Sequence, residues 1–458
     1  VVSERPLTGA DPAAGLALAD RVLERAMAAG ATEAEILVTA EDAFLTRFAN
    51  SEIHQNVAEA TTSVNVRFVI GRRIGVAATG RTDDAGLAAV VARAADVARN
   101  AEELDDWGGL PEPDPDGVPE LPAAWSERTA DATPELRAEG VRALIATADA
   151  AGALAYGAFS TSAESVAVAN SRGIRGAQRR TQSRIVTVAM SPAGGTGYAE
   201  AVATDASHLD AAALGREASA KARATEGARD LPPGIYPVVL EEYAVVDIVD
   251  MLAYLGFSAQ AVQEGRSFVE PGKRIGSDLV TIVDDGTDPA GLPSSMDYEG
   301  VRKERLTLVE RGICRDIAYD AQTAARAGRR STGHGFPAPN PWGPFAGNML
   351  MAPGTASRDE LIGGLDRGIL VTRFHYTNPV HPKLCLITGM TRDGTFLVEN
   401  GRLVAPIRNL RYTQSYLDAL AGVEAVGRER RAVAGFIGSS VVPAVRISAW
   451  EFTGATEH

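Results

Sequence analysis

Phe48-Ala49-Asn50-Ser51 is echoed 120 residues later by Val168-Ala169-Asn170-Ser171. In both stretches a strand-like run ends on Asn-Ser, a turn signal because asparagine tolerates positive φ. Working outward from the first copy, Asp11–Ala29 reads as an amphipathic helix with Asp11 as cap, Pro12 in its first turn and Gly30 at its end. Strands are expected at Glu35–Thr39, Ala43–Ala49, Thr61–Ile70 and Ile74–Thr79, the last two joined by Gly71-Arg72-Arg73, and a helix from Asp84 to Glu103 follows. Around the second copy stand a helix from Pro134 to Ala151 closed by Gly152, strands at Ala155–Ser162, Ser165–Asn170 and Ser183–Ser191, and a helix from Leu209 to Thr225. Helix, strands, helix, twice over, points to an internal duplication, with coincidence of two turn signals as the alternative.

Between the copies, residues 104–125 alternate Asp105, Asp106, Glu112, Asp114, Asp116 and Glu120 with Pro111, Pro113, Pro115, Pro119 and Pro122. Proline fixes φ and removes a donor, so this is an acidic, extended excursion outside any core. Leu231-Pro232-Pro233-Gly234 marks a boundary. Beyond it come a strand at Tyr236–Leu240, a helix at Glu241–Gly256, and then mostly strands: Leu279–Asp284, Arg305–Glu310, Ile313–Tyr319, Gly368–Phe374, Leu384–Arg392, Thr395–Glu399 and Arg402–Leu410. Asn400-Gly401 is a strong hairpin signal. The expected fold is α+β: an N-terminal domain over 1–230 and a β-rich, barrel-like antiparallel domain over 234–458.

Composition narrows the function. The 458 residues carry a net charge of −14, which repels a phosphate backbone and excludes a general nucleic-acid binder. No stretch approaches the roughly 20 apolar residues of a membrane helix, and Val1–Ala10 shows no signal-peptide pattern, although a segment before Val1 stays open. One disulfide between Cys314 and Cys385 is conceivable, but two cysteines in such a length fit a reducing cytoplasm.

No complete catalytic motif is present. The six histidines, His54, His208, His334, His375, His381 and His458, include no pair three or four residues apart, so no helical turn offers two metal ligands. His375 and His381, around Pro379, could present a pair of ligands from a bent strand, or be ordinary pocket histidines. Gly-x-Ser-x-Gly is absent, and Gly438-Ser439-Ser440 lacks the elbow spacing. Gly194-Gly195-Thr196-Gly197 reads as a turn, and Asp284-Asp285-Gly286-Thr287-Asp288 as a structural turn lacking the glutamate of a calcium loop. The segment Arg329–Asn348 packs glycines and prolines around His334, Phe336, Asn340, Trp342 and Phe345. It suits either a strip that contacts peptide or partner, together with His375 and Tyr376, or a loop covering the barrel.

Arg47-Phe48-Ala49-Asn50-Ser51-Glu52-Ile53-His54, Gln263-Glu264-Gly265-Arg266-Ser267-Phe268, Thr281-Ile282-Val283-Asp284-Asp285-Gly286-Thr287, Asp297-Tyr298-Glu299-Gly300 and the run from Gly389 to Gly401 occur in an order that resembles the TldD/TldE family, also called the PmbA or modulator-of-DNA-gyrase family. The TldD-type members carry His-Glu-x-x-x-His on a helix, joined on zinc by a C-terminal cysteine. Here the corresponding positions are Asp250, Met251 and Leu255, and residues 236–277 contain no histidine. The resemblance is therefore to the TldE/PmbA branch. It implies a non-catalytic subunit with no cofactor of its own, paired with a zinc-bearing TldD-type subunit and enclosing a peptide or small amide substrate. Two other readings stand beside it: a stand-alone hydrolase using Asp247, Asp250, His375 and His381, and a binding protein that modulates gyrase.

Overall fold

The structure, a computed structural model, describes residues 7–455; the first six positions of the Val1–Ala10 reading, and His458, lie outside the described residues. Helix α1 (Pro12–Ala28) begins where Asp11 accepts the Ala14 N–H. Strands β1 (Glu33–Ala49), β2 (Glu52–Ile70) and β3 (Arg73–Thr79) and helix α2 (Asp84–Asn100) complete a first unit. After the excursion and a short helix α3 (Glu127–Ala130), α4 (Pro134–Ala150), β4 (Leu154–Asn170), β5 (Arg175–Met190), β6 (Thr196–Ala203) and α5 (Ala211–Ala224) repeat it.

The six strands form one sheet in the order β3-β2-β1-β4-β5-β6, with β1 and β4 antiparallel at its centre. Asp42 faces Ala163 and Ala43 faces Ser162, so an approximate twofold axis passes between these pairs and exchanges the units. Helices α1 and α4 are both 17 residues long and each runs out at a left-handed glycine, Gly30 at φ 97° and Gly152 at φ 67°. This is the internal duplication. Each repeat has its own apolar core: Leu18, Val22, Val66, Phe68, Leu87 and Val90 in the first, and Val141, Leu144, Phe159, Ile185 and Leu214 in the second.

Strand boundaries differ from expectation. The pairs 35–39 with 43–49 and 155–162 with 165–170 are single 17-residue strands. Their polar interruptions are cross-strand neighbours inside the sheet, Glu41 opposite Glu164 and Glu164 opposite Arg180. The glycine turn at 194–197 runs directly into β6.

The second half contains β7 (Gly234–Leu240), α6 (Glu242–Leu255), α7 (Ala259–Gln263), β8 (Ile282–Asp284), β9 (Leu306–Glu310), β10 (Ile313–Cys314), α8 (Ala321–Arg326), β11 (Asn348–Met351), α9 (Arg358–Gly363), β12 (Arg367–His381), β13 (Leu386–Glu399), β14 (Arg402–Pro406), β15 (Leu410–Ser415), α10 (Tyr416–Ala421), β16 (Val423–Ala434) and β17 (Ser439–Ala455). Strands β17, β15, β13, β12 and β7 follow one another, and β17 also pairs with β7, which closes a barrel. Its pairings are antiparallel except β7 with β12, and the side sheet joins through a second parallel pair, β11 with β17. The purely antiparallel expectation is corrected to that extent: β7 is followed by α6 before the chain returns, and such a crossover permits a parallel neighbour. Helix α6 is buried along nearly its whole circumference and packs on β12 and β17, as expected of a helix that is apolar all round.

Candidate functional site

Beyond Glu242 in its first turn, helix α6 carries Asp247 and Asp250 on successive turns. Strand β16 ends against β17 through the turn Gly435–Gly438, in which Gly435 N–H reaches Gly438 O and Gly438 takes φ 71°. A side chain at Gly438 would also meet the Gly347 carbonyl at 2.5 Å, so glycine is required twice over. The turn brings its Phe436 N–H to Asp250 Oδ2 at 3.0 Å, and the start of β17 brings Ser440 Oγ to Asp250 Oδ1 at 2.9 Å. Burial pushes the Asp250 carboxyl up to about 7, although both hydrogen bonds pull the other way. Asp247 accepts from Tyr416 Oη at 2.6 Å and from Thr377 Oγ1 at 2.8 Å, and Tyr416 meets Tyr412 Oη at 2.8 Å. Burial lifts Asp247 to about 6.

Gly438 also faces the N-terminal sheet across a cavity of about 270 Å³, lined by Glu41, Ser162, Glu164, Arg180 and Gln182 with Leu292 and Pro293. Arg180 donates to Glu164 and to Tyr298 Oη. Burial and then the facing Glu164 raise the Glu41 carboxyl, against the pull of Arg180. The site thus has two parts, a small cleft between the polar sheet and Gly438, and behind that turn the buried α6 carboxylates Asp247 and Asp250.

The remaining predicted residues divide. His334 is not on the surface: it is buried, with Nδ1 2.9 Å from Thr332 Oγ1 and Nε2 2.9 Å from Asp284 Oδ1. The loop folds inward here to place the ring beside a buried carboxylate, so His334 presents no surface in this chain. Burial acts to raise Asp284, yet His334 and Lys303 bring it below the usual carboxylate range. Phe336 is half-buried between Tyr298 and Phe345. Asn340 closes a turn onto Trp342 N–H and Gly343 O, and Trp342 stands 69% exposed. Thus the inner part of Arg329–Asn348 covers the domain and its tip projects.

His375 is half-buried beside Tyr376, and burial followed by Arg392 and Arg373 lowers its pKa. Tyr376 is 70% exposed at φ 51°. His381 lies exposed at the end of β12. No hydrogen bond links any two of Asp247, Asp250, His375 and His381 among the described residues. Cys314 and Cys385 are free and buried. Sequence reasoning missed Thr377 and Tyr416, for which no local signal exists, and met 438–440 only as a serine run without the elbow spacing.

These residues do not fit zinc. Both Asp250 oxygens are engaged, Met251 and Leu255 lie in the apolar core, and Ser440 offers a hydroxyl where a thiolate would be needed. No group of three or more His, Cys, Asp or Glu side chains is placed to hold a metal among the described residues, and no helix there is long and apolar enough to cross a membrane.

The PmbA/TldA metallopeptidase family models match in order: domain 1 on residues 34–98, the central domain on 127–226 and the C-terminal domain on 233–454. The chain belongs to the PmbA/TldD family. A metalloprotease of Methanothermobacter thermautotrophicus is 29% identical over 252 residues, 54% of either chain. A metalloprotease TldD homologue of Buchnera aphidicola is 30% identical over 166 residues, 34% of this chain and 32% of that one. The chain spans about half the length, or less, of these curated relatives. TldE from Thermococcus kodakarensis has the same fold, with TM-score 0.87 and 20% identity over 95% of this chain and 100% of that one. So does a protein described as a modulator of a DNA gyrase from Thermotoga maritima, with TM-score 0.83 and 19% identity over 95% and 99%.

Proposed function

We propose that this chain is the non-catalytic, TldE/PmbA-like subunit of a two-chain zinc peptidase in the cytoplasm, closing the active site of a TldD-type partner over a peptide or small amide substrate. One observation carries the reading. At the position where the resemblance puts the first zinc ligand, Asp250 is tied by Ser440 and the Phe436 N–H, so the helix and the C-terminal segment meet without ligands for an ion. The metallopeptidase family membership supplies the chemistry of the assembly, and the donor set argues that the metal sits in the other chain.

The test is elemental analysis and cleavage of an unstructured peptide, by the purified chain alone and mixed with the TldD-type chain of its own organism. Expected are no stoichiometric zinc and no cleavage alone, and cleavage with zinc in the mixture. One zinc per isolated chain that survives mild chelation, or cleavage by the isolated chain, would sink the proposal.

A further inference from the structure

Strand β6 is the last strand of the N-terminal sheet and pairs only with β5. Strand β16 pairs with β17, and on its other side Gly354 and Ala356 reach only as far as Arg428. In an antiparallel ladder, the residues of alternate pairs turn both backbone groups away from the partner strand. Glu200 on β6 is such a residue: its N–H donates to Tyr243 Oη at 3.0 Å, and its carbonyl accepts from the same hydroxyl. The register is unbroken from Thr196 to Ala203, so Val202 also turns its N–H and C=O outward. On β16 the phase is fixed twice. Ala434 N–H leaves the ladder for Glu200 Oε1 at 3.3 Å, and Arg430 stands opposite Pro443, which has no N–H to give. The outward residues of this stretch are therefore Arg430, Ala432 and Ala434.

Val202, Arg430 and Ala432 line one cavity of about 870 Å³ between the two domains. Their outward backbone groups find no partner among the described residues, and such an edge is a template for another chain. The opening is short. Tyr243 closes it at Glu200, and Thr129 of α3 closes it at Thr204, whose carbonyl accepts from Thr129 Oγ1 at 2.8 Å. A gap one outward residue long on β6 admits the end of a chain, not a strand running through.

Charge says which end. Arg128, next to Thr129, and Arg430 both line the cavity, and neither has an acidic partner among the described residues. The acids at hand are engaged: Asp205 accepts from the N–H and the hydroxyl of Ser207, both at 2.7 Å, and Glu127 lies 3.6 Å from Arg179. In a chain of net charge −14, two uncommitted guanidinium groups in one cavity make a local positive field, and guanidinium is well shaped to hold a carboxylate. Trp125, Leu209 and Pro289 give the wall apolar surface for a side chain.

We propose that this cavity binds the carboxyl-terminal end of an extended peptide, with the peptide backbone on the outward groups of Val202 and Ala432 and the terminal carboxylate on Arg128 and Arg430. The site needs this chain alone, so it goes beyond the subunit reading and can fail without it.

Isothermal titration of the purified full chain with an N-acetylated pentapeptide of alternating alanine and valine tests this. Three forms are compared: a free carboxyl end, an amidated end, and an amidated end with one internal aspartate. The free acid should bind, amidation should weaken it at least about tenfold, and the aspartate should not restore the loss. Methylation of the peptide's backbone nitrogens should abolish binding. Arg128→Gln and Arg430→Gln, exposed positions with no ion pair to lose, should each weaken the free acid at least about tenfold without moving the melting temperature. Should either variant not fold, acid against amide on the natural chain decides. No binding of the free acid at about 1 mM, equal affinity for acid and amide, recovery by the aspartate, or binding that survives both arginine variants would each overturn the inference. None of these outcomes touches the zinc and cleavage assays on which the subunit reading stands.

Discussion

On the first repeat, strand β2 makes the polar junction with the C-terminal domain: Asn65 donates to the Ala338 carbonyl at 2.6 Å, and Arg67 lies 3.3 Å from Glu35 on its own sheet and 3.1 Å from Glu299 across the junction, with Arg67 and both carboxylates buried. On the second, the load is spread. Gln178 binds the 294–296 segment, Arg180 reaches Tyr298, and Glu200 gathers Arg184, Tyr198 and the Tyr243 hydroxyl, beside which Arg431 bonds Glu217. The two repeats began from one pattern, so the contrast teaches what duplication permits. One copy became a broad docking face, while the other docks through a narrower one centred on an ionic knot.

Arg67→Met should have the largest effect. It leaves Glu35 and Glu299 buried without their cation, and breaking one partner of a buried pair costs about 3–5 kcal/mol. Urea unfolding at pH 7 measures it, and a loss below about 1 kcal/mol would show that the knot is not what holds the first repeat. Gln178→Ala should cost less, about 1–3 kcal/mol, by leaving the Ser295 N–H unpaired, while the Met296 carbonyl keeps Ser294 Oγ. Its signature is local: faster amide exchange at 294–298, with 65–69 unchanged.

The third prediction sharpens the contrast through pH. Burial raises the carboxyls of Glu35, Asp297 and Glu299 at the first junction, the nearby Glu299 charge adding to Glu35 and Asp297, and Asp320 to Glu299. Arg67 opposes this at Glu35 and Glu299, and Lys303 opposes it at Asp297. Folded pKa values above the unfolded ones mean stability that is full below the ordinary carboxylate range and lost as pH rises through the neutral range. Unfolding free energy should therefore fall between about pH 4 and pH 8, and Glu35→Gln should flatten the slope. An unchanged slope would remove Glu35 from the account.

The last prediction lies at Asp250, away from both junctions. Its folded pKa of about 7 makes its contribution full near pH 4 and lost as pH rises through about 7. Asparagine can still accept the Phe436 N–H and donate to Ser440, so Asp250→Asn should be neutral near pH 4 and gain stability at pH 8. Thermal melts at the two pH values decide, and a loss at pH 8 would show that the ionised form is favoured there.

Much of the N-terminal sheet was legible because it rests on local signals. Asp11, Pro12, Gly30 and Gly152 mark helix ends, and Asn-Ser marks both strand ends. The barrel was legible only in part. Strand β16 carries Gly427-Arg428-Glu429-Arg430-Arg431, and its register shifts between Val426 and Arg430, so the alternation that betrays a strand is interrupted. Strand β17 contains Pro443, which argues against a strand by any local rule, yet it is held by neighbours distant in sequence. The site was harder still. His334 sits among glycines and prolines that suggest a surface loop, and only Asp284, on a strand 50 residues away, explains its burial. Asp250 was found as a degenerate ligand position, but its contact with Ser440 spans 190 residues and leaves no local trace.

Strand β17 has a consequence for how the protein is made. It pairs with four strands, β7, β11, β15 and β16, and β7 begins at Gly234 while β17 begins at Ser439. A chain emerging from the ribosome can zip β1 onto β2 as a hairpin almost at once, but β7 must wait for nearly the whole second half before its ring can shut. Until then β7 and α6 have β12 but lack β17, and their incompletely covered apolar residues leave the nascent protein exposed to aggregation.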